Sequence, residues 1–152
     1  MKAAFAMTCD VVCIRPDDTL EDAHRIMTEW HIRHLPVIEG KRLLGILSDR
    51  DVLIHASKRD GSIHVPAMAV VAAMTPWPMT CSPNSTVSRV AGLMLEHKID
   101  CIPITDDGGH LVGLVTSADL IRLLKDRDDG DQHKVLPFKY RLRTESELRA
   151  QA

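Results

Sequence analysis

The sequence contains the same motif twice, and this repeat limits the possible folds more than any other feature. A shift of 67 residues, the separation of Met7 and Met74, aligns residues of the first half with identical residues of the second half in the same order. After one inserted residue in the turn at 106–109, the shift becomes 68. The aligned pairs are Met7 with Met74, Thr8 with Thr75, Pro16 with Pro83, Thr19 with Thr86, Met27 with Met94, Glu29 with Glu96, Ile32 with Ile99, Pro36 with Pro103, Gly45 with Gly113 and Asp51 with Asp119.

Each copy has the local pattern strand, helix, strand, strand, helix. In the first copy, an apolar run stopped by Pro16 indicates a strand. Thr19 and Asp22 then form a capping-box pattern before an apolar stripe of helical spacing. The predicted elements of the first copy are strands at 11–14, 35–38 and 43–47, a helix that begins after Thr19 with its apolar stripe at Leu20, Ala23, Ile26 and Met27, and a second helix at about 48–56. Those of the second copy are strands at 78–81, 101–104 and 111–115 and helices at 87–97 and 116–125.

These elements predict an α/β (α+β) fold of two βαββα repeats. The hairpins indicate mixed rather than all-parallel sheets. With 152 residues, one domain is expected. We assign 7–56 and 74–125 to the repeats, 57–73 to a polar linker with a short helix, and 126–152 to a charged C-terminal tail with a short helix near 144–150. One copy buries little apolar surface by itself, so we expect the two copies to share a core.

Composition excludes several classes of protein. The longest apolar stretch, at 65–74, contains Pro66 and is too short to span a bilayer. The N-terminus lacks the apolar run of a signal peptide, so a cytoplasmic location is expected. A net charge of -2 with 3% aromatic residues argues against binding to nucleic acid or to an anionic membrane. The four cysteines have no CxxC spacing, which favours reduced thiols.

A shared motif ends each copy: glycine, two apolar residues, a hydroxyl residue, two variable residues and aspartate. It runs from Gly45 through Ser48 to Asp51 and from Gly113 through Thr116 to Asp119. In one interpretation, each hydroxyl residue and aspartate form a capping box. In the other, the helix start faces a phosphate and the aspartate accepts hydrogen bonds from a ribose diol. The spacing alone fits both.

The ordered set of motifs closely resembles the CBS (cystathionine β-synthase) domain, and the pair resembles the tandem known as a Bateman module. In each copy the set comprises M-T, P-x-x-T, I-x-x-[LI]-P and G-h-h-[ST]-x-x-D, with h an apolar residue. The resemblance covers residues 7–125. It implies two repeats related by a pseudo-twofold axis, with clefts that bind adenosine ligands such as AMP, ATP or S-adenosylmethionine. It also implies a homodimer formed through helices, for which residues 53–54 and Leu120, Leu123 and Leu124 are candidates.

Carried over residue by residue, the resemblance implies a set of nucleotide-binding residues. The ribose-binding pairs are Ser48 with Asp51 and Thr116 with Asp119. The adenine-flanking residues are Val11, Val12, Leu35 and Pro36 for the first copy and Pro78, Met79, Ile102 and Pro103 for the second. Each of these apolar residues also fits a place in a hydrophobic core.

The phosphate-facing positions differ between the copies. The first copy has Arg33 and His34 where the second has Asp100 and Cys101. Arg50, which precedes Asp51, matches a position from which a basic side chain reaches the ligand of the other copy. Its counterpart, Ala118, has no charge. Because a carboxylate repels phosphate, we expect two unequal sites, with AMP favoured at Asp51.

The sequence therefore predicts a non-catalytic regulatory module that binds an adenosine ligand and acts on an unidentified protein. No nucleophile with a neighbouring base, P-loop or dinucleotide fingerprint is present. One alternative is a protein-interaction or stress-response scaffold of the same fold that binds no nucleotide. Another is a metal or redox sensor using the histidines and cysteines. Zinc-finger spacing is absent from the sequence, so no metal or required cofactor is expected.

Overall fold

A computed structural model of the chain describes residues 1–128 and 141–150. Its α-helices are α1 (Leu20–Trp30), α2 (Asp49–His55), α3 (Val87–His97), α4 (Ser117–Asp128) and α5 (Glu145–Arg149). Its strands are β1 (Asp10–Val12), β2 (His34–Glu39), β3 (Arg42–Ser48), β4 (Ser57–Arg59), β5 (Ser62–His64), β6 (Thr75–Pro76), β7 (Cys101–Thr105), β8 (Leu111–Thr116) and β9 (Arg141–Arg143). Short 3-10 helices cover Ala3–Phe5 and Val70–Ala72. The predicted mixed α+β class is confirmed.

The chain divides into two compact units, and neither coincides with a sequence repeat. The first unit combines Met1–Val11 with the part of the chain that starts at Met79. The second combines Val12–Pro78 with the C-terminal segment that starts at Arg143. The Met-Thr sequence that opens each repeat therefore belongs to the unit built mainly from the other repeat.

In the second unit, β6 shows why this exchange occurs. It pairs antiparallel to β3, with Gly45 opposite Pro76 and Ile46 opposite Thr75. A Cβ atom on Gly45 would lie 2.9 Å from the Thr75 carbonyl oxygen and would overlap the Met74 side chain. The glycine of the first repeat thus makes room for the opening residues of the second.

In the first unit, the same contact joins the N-terminal segment to β8. Thr8 and Leu114 exchange two backbone hydrogen bonds of 2.8 and 3.0 Å. A Cβ atom on Gly113 would lie 2.9 Å from Met7 Cγ. Ala3 and Met7 are buried here, so the N-terminal segment forms part of this unit's core.

Each unit is built around one antiparallel hairpin. Strands β2 and β3 pair with His34 opposite Ser48, and β7 and β8 pair with Cys101 opposite Thr116. On the other side of β2, Ile14 forms a parallel bridge to Val37, and Cys81 bridges to Ile104 beside β7. The predicted mixed sheets are therefore present in both units.

The cores follow the helix stripes that the sequence predicts. The cluster in the second unit contains Ile14, Leu20, Ala23, Ile26, Met27, Leu35, Val37, Leu47, Val52 and Val70. The cluster in the first unit contains Ala3, Met7, Cys81, Val90, Met94, Ile102, Ile104, Val112 and Val115. Each unit thus has its own buried cluster, and the predicted packing of the two copies around a shared core stays a prediction.

Several local predictions were wrong. The first strand covers Asp10–Val12 rather than 11–14, and 78–81 contributes only the Cys81 bridge. The predicted linker contains the β4–β5 hairpin, because Asp60 and Gly61 adopt the positive φ angles of a tight turn. The helix predicted near 67–74 is only a 3-10 turn.

In the predicted tail, α5 confirms the short helix near 144–150, and β9 precedes it. Residues 129–140 and 151–152 lie outside the described residues.

Candidate functional site

The first predicted ribose pair forms a complete capping box at the start of α2. The Ser48 backbone N–H and hydroxyl both donate to Asp51 Oδ2, at 2.7 and 2.8 Å, and the Asp51 N–H donates to Ser48 Oγ at 3.2 Å. Asp51 is half-buried. Among the described residues, no donor reaches its second oxygen, Oδ1. This oxygen is therefore available to a ligand hydroxyl.

The second predicted pair has the same box at the start of α4 and one further contact. Thr116 donates to Asp119 Oδ2 from its N–H at 2.8 Å and from its hydroxyl at 2.7 Å. Arg122, one turn along α4, donates from Nη1 to Asp119 Oδ1 at 3.1 Å. The Asp119 side chain is 11% exposed and that of Arg122 is 68% exposed. Both carboxylate oxygens of Asp119 are thus hydrogen-bonded within the helix.

A third box, at the start of α1, has the same geometry as the second. The Thr19 hydroxyl donates to Asp22 Oδ2 at 2.7 Å, and Arg25 donates to Asp22 Oδ1 at 2.9 Å. The hydrogen bond from Thr19 is the largest cause of a lowered pKa at Asp22; burial opposes it and the Arg25 hydrogen bond adds to it. This box stabilises a helix start that was not predicted to bind a ligand.

The hairpins place His34 and Cys101 directly across from the hydroxyl residues. His34 is half-buried opposite Ser48, whereas Cys101 is buried opposite Thr116. Burial, and then the nearby Asp119 and Asp100 carboxylates, raise the pKa of the Cys101 thiol far above its usual range. The first pair therefore lies beside an imidazole and the second beside a neutral thiol.

The predicted phosphate-facing cations of the first copy lie on the surface of the second unit. Arg33 and Arg50 are both exposed, and neither forms an ion pair with a described residue. The backbone ties Arg33 to the start of α2, because the Asp49 N–H donates to the Arg33 carbonyl oxygen at 2.9 Å. In the first unit, Ser117 makes the same bond to Asp100. An exposed carboxylate thus occupies the position of Arg33.

The predicted adenine-flanking residues fall into two groups by burial. Val11, Leu35 and Ile102 are core side chains, with exposures of 3%, 0% and 0%. Pro36 and Pro103 are also buried, and their carbonyl oxygens accept hydrogen bonds from Ile14 and Cys81. The half-buried members are Val12, Pro78 and Met79. Of the predicted set, these three have side-chain surface that a base could contact.

The structure divides the predicted residues between the two units. The second unit holds Val12, Arg33, His34, Leu35, Pro36, Ser48, Arg50, Asp51 and Pro78. The first unit holds Val11, Met79, Ile102, Pro103, Thr116 and Asp119. Sequence reasoning missed Arg122, although its spacing of three residues from Asp119 on a helix is a visible signal.

A surface depression of about 300 Å³ also lies in the second unit, between α1 and α5. It is lined by Asp22, Arg25, Ser146 and Arg149. None of the predicted site residues lines it. Among the described residues, no group of three or more metal-ligating side chains is present, and Cys9, Cys13, Cys81 and Cys101 are free thiols.

Comparison with known families shows what kind of domain contains the Ser48–Asp51 and Thr116–Asp119 pairs. The CBS domain profile matches residues 3–58 and 70–126. The chain belongs to the CBS domain family. It is 32% identical over 116 residues to the CBS domain-containing protein YhcV of Bacillus subtilis, covering 75% of this chain and 79% of that protein. Tandem CBS modules of this kind are generally regulatory.

The chain also matches a region of larger enzymes. It is 37% identical over 111 residues to the inosine-5'-monophosphate dehydrogenase of Korarchaeum cryptofilum, covering 73% of this chain. The match spans only 22% of the dehydrogenase, and it covers the CBS region without the catalytic domain.

Solved structures share this CBS fold. CBSX2 in complex with AMP has a TM-score of 0.75 at 23% identity, with 84% of this chain and 99% of that chain covered. The CBS pair of protein MJ0100, in complex with 5'-methylthioadenosine and S-adenosyl-L-methionine, has a TM-score of 0.69 at 23% identity and covers 82% of this chain and 99% of that one. A putative acetoin utilization protein of Vibrio cholerae has a TM-score of 0.73 at 27% identity, with 88% of this chain and 98% of that chain covered.

Among the described residues, no helix is long and apolar enough to cross a membrane.

Proposed function

We propose that this CBS pair is a non-catalytic regulatory module that binds an adenosine nucleotide, with Ser48 and Asp51 holding the ribose. The observation that carries the proposal is the open carboxylate oxygen of Asp51. A ribose diol has two donors and needs a fixed acceptor, and an ionised carboxylate forms stronger hydrogen bonds than a neutral group. The capping box holds Asp51 in one orientation before any ligand arrives.

The surroundings of Asp51 support a phosphorylated ligand. Arg33, Arg50 and His34 belong to the same unit as Asp51, and both arginines are exposed. A guanidinium group binds phosphate through two parallel hydrogen bonds, so exposed arginines in the same unit as a ribose acceptor favour a nucleotide over a nucleoside. Solved CBS pairs bound to AMP or to S-adenosyl-L-methionine support the adenosine class.

The surroundings of Asp119 support a different preference. Asp100 replaces Arg33 and is exposed, and the neighbouring Cys101 is a buried, neutral thiol. A carboxylate at this position disfavours a phosphate. We propose that the Asp119 site prefers an uncharged adenosine ligand and binds AMP more weakly than the Asp51 site.

The module also presents apolar surface for a second copy of itself. Leu53 and Ile54 on α2 are 51% and 71% exposed, and Ile121 and Leu124 on α4 are each 65% exposed. Leu120, which we also predicted for the dimer seam, is partly buried and packs against the core of its own unit. We propose a homodimer formed through the exposed faces of α2 and α4, with ligand binding altering the affinity for a regulated protein.

Calorimetric titration tests the proposal. AMP, ATP and S-adenosylmethionine are titrated into the wild type and into Asp51→Ala, Asp119→Ala and Asp22→Ala. The last variant is the matched control, because it removes a capping box of the same geometry that is not predicted to bind ligand. AMP binding should weaken strongly in Asp51→Ala and remain unchanged in Asp22→Ala.

The alternative functions give different results in the same experiment. A protein-interaction scaffold would give no heat with any adenosine ligand, and each of the three variants would lose only the stability of a helix cap, about 1 kcal/mol. A metal sensor would instead gain thermal stability on addition of zinc. The absence of heat with every adenosine ligand would contradict nucleotide binding at Asp51, and stabilisation by zinc together with that absence would favour the metal sensor.

A further inference from the structure

Among the described residues, three helix starts pair a Ser or Thr with an aspartate three residues later, and these boxes differ in whether an arginine donates to the outer oxygen, Oδ1, of the aspartate. In α1 and α4, the residue three positions after the aspartate is Arg25 or Arg122, and it donates to Oδ1 at 2.9 or 3.1 Å. In α2, the equivalent residue is Ile54, which cannot donate. Of these three, the Asp51 box is the one in which no described residue donates to Oδ1, and we call it open and the other two closed.

We infer that Arg122 is an internal competitor for the ribose at Asp119, and that this competition adds to the effect of Asp100 in making the Asp119 site weaker than the Asp51 site. This inference rests on the proposed function. A ribose diol donates two hydrogen bonds, and Asp119 Oδ2 already accepts two from Thr116. Because a carboxylate oxygen has two acceptor positions and Arg122 takes one of those on Oδ1, only one remains for the diol unless Arg122 moves away. At Asp51, a ligand hydroxyl that binds Oδ1 would displace no side chain of the part of the chain that the structure describes.

The burial of the groups shows how strong this competition is. The Arg122 side chain is 68% exposed, so it can turn into solvent and release Asp119. An exposed ion pair of this kind changes a competing equilibrium by up to about fivefold. Arg122 therefore weakens the second site without abolishing it.

The α1 box supports this interpretation by comparison. Thr19, Asp22 and Arg25 reproduce the closed geometry at a helix start that carries no predicted ligand. The closed box is thus the arrangement this chain uses where the aspartate acts only as a cap. Arg122 gives Asp119 the same closed arrangement as Asp22. Replacing Arg122 by isoleucine, the residue that follows Asp51 by three positions, would therefore turn the closed box at Asp119 into an open one.

The test exchanges Arg122 and Ile54, the residues that follow the two aspartates by three positions. Each exchange is made in a variant that keeps only one of the two proposed ligand sites. In the Asp51→Ala background, Arg122→Ile is titrated with adenosine, which carries the diol but no phosphate for Arg122 to attract. Lys125→Ala is the matched control, because it removes an exposed cation from the same helix. In the Asp119→Ala background, Ile54→Arg is the reciprocal variant, and its mass in solution is measured alongside.

Arg122→Ile should tighten adenosine binding at the Asp119 site by about fivefold, Lys125→Ala should leave it unchanged, and Ile54→Arg should weaken the Asp51 site by a similar factor. Unchanged or weaker binding by Arg122→Ile would overturn the role of Arg122 while leaving the proposed function intact. If the wild type binds no adenosine ligand at all, the proposed function fails, and this inference fails with it.

Discussion

At the scale of single residues, the chain repeats one arrangement of atoms at three described helix starts. Thr19, Ser48 and Thr116 each donate a hydroxyl proton to the aspartate three residues later, at 2.7 to 2.8 Å. The hydrogen bonds that stabilise these helix starts also fix the carboxylate orientation. The capping and ligand-binding interpretations of the sequence are therefore compatible, because the cap uses Oδ2 of the aspartate. Whether Oδ1 already accepts a hydrogen bond from an arginine is what differs between the boxes.

The closed box at Asp22 makes a prediction about stability and pH. Its pKa is lowered in the folded protein, mainly by the Thr19 hydroxyl, so the ionised form contributes stability above the unfolded-state pKa of about 3.9. This contribution is lost as the pH falls through the lower, folded-state pKa. The Asp22 side chain is 39% exposed, so screening keeps the effect below about 1 kcal/mol.

Urea unfolding of the wild type and Asp22→Asn between pH 7 and pH 3 measures this effect. The wild type should be more stable at pH 7, and the difference should shrink below about pH 4. A difference that stays constant across the whole range would show that the charge of Asp22 does not contribute.

At the scale of secondary-structure elements, two glycines connect the repeats. Gly45 on β3 and Gly113 on β8 each lie against the Met-Thr sequence that opens the other repeat. The contact explains why glycine and Met-Thr occur together in both copies. It also explains why the structural units are offset from the sequence repeats.

The glycine contacts predict substitutions of opposite sign. Gly45→Ala places a methyl group 2.9 Å from the Thr75 carbonyl oxygen, a backbone atom, and should destabilise the fold by about 1–3 kcal/mol. Gly92→Ala in α3 meets nothing within 4 Å and should stabilise by about 0.5–1 kcal/mol. Chemical denaturation of both variants measures the two effects. Equal shifts for both would rule out close approach as the reason for Gly45.

The accuracy of the sequence predictions depended on whether the signal was local. The capping boxes at Thr19, Ser48 and Thr116 and the hairpins beside Pro36 and Pro103 were predicted, because their residues are neighbours along the chain. The β4–β5 hairpin was missed although its Asp60-Gly61 pair is a strong turn signal. The strand predicted at 78–81 was wrong: β6 ends at Pro76, before Trp77 with its positive φ of 50°, and within 78–81 only Cys81 forms a bridge, to Ile104.

The features that could not be predicted depend on contacts between distant residues. Pairing of Thr8 with Leu114, and of β6 with β3, joins residues that no periodic pattern connects. The Arg122 ion pair was visible as a spacing, but only the side-chain position shows that it reaches Oδ1 rather than solvent. Only the structure could therefore show which unit holds each candidate site residue and which aspartate is paired with an arginine.

At the scale of the whole molecule, the chain is a CBS pair whose repeats keep the same architecture and differ in charge. The first repeat presents Arg33 and Arg50 with an open Asp51, and the second presents Asp100 with a closed Asp119. The proposal of unequal ligand sites rests on this asymmetry. The proposal of a homodimer rests on the exposed apolar faces of α2 and α4.

The proposed dimer predicts a change of mass on substitution. Wild-type protein should have twice the mass of one chain in light scattering coupled to size exclusion. Leu53→Lys and Ile121→Lys place charges on the apolar faces of α2 and α4 and should yield monomers. Leu95→Lys is the control, because Leu95 is 82% exposed on α3, outside the proposed interface. A monomeric wild type, or dissociation by Leu95→Lys alone, would contradict the proposed seam.

The central claim is that Asp51 binds a ribose diol, and one thermodynamic cycle tests it directly. AMP and 2',3'-dideoxy-AMP are titrated into Asp119→Ala, which retains the Asp51 site, and into the Asp51→Ala, Asp119→Ala double variant. The protein with Asp51 should bind AMP at least about tenfold more tightly than the dideoxy analogue, since hydrogen bonds to a charged group are lost. The double variant should bind the two ligands almost equally. An equal preference for AMP in both proteins would contradict the claim.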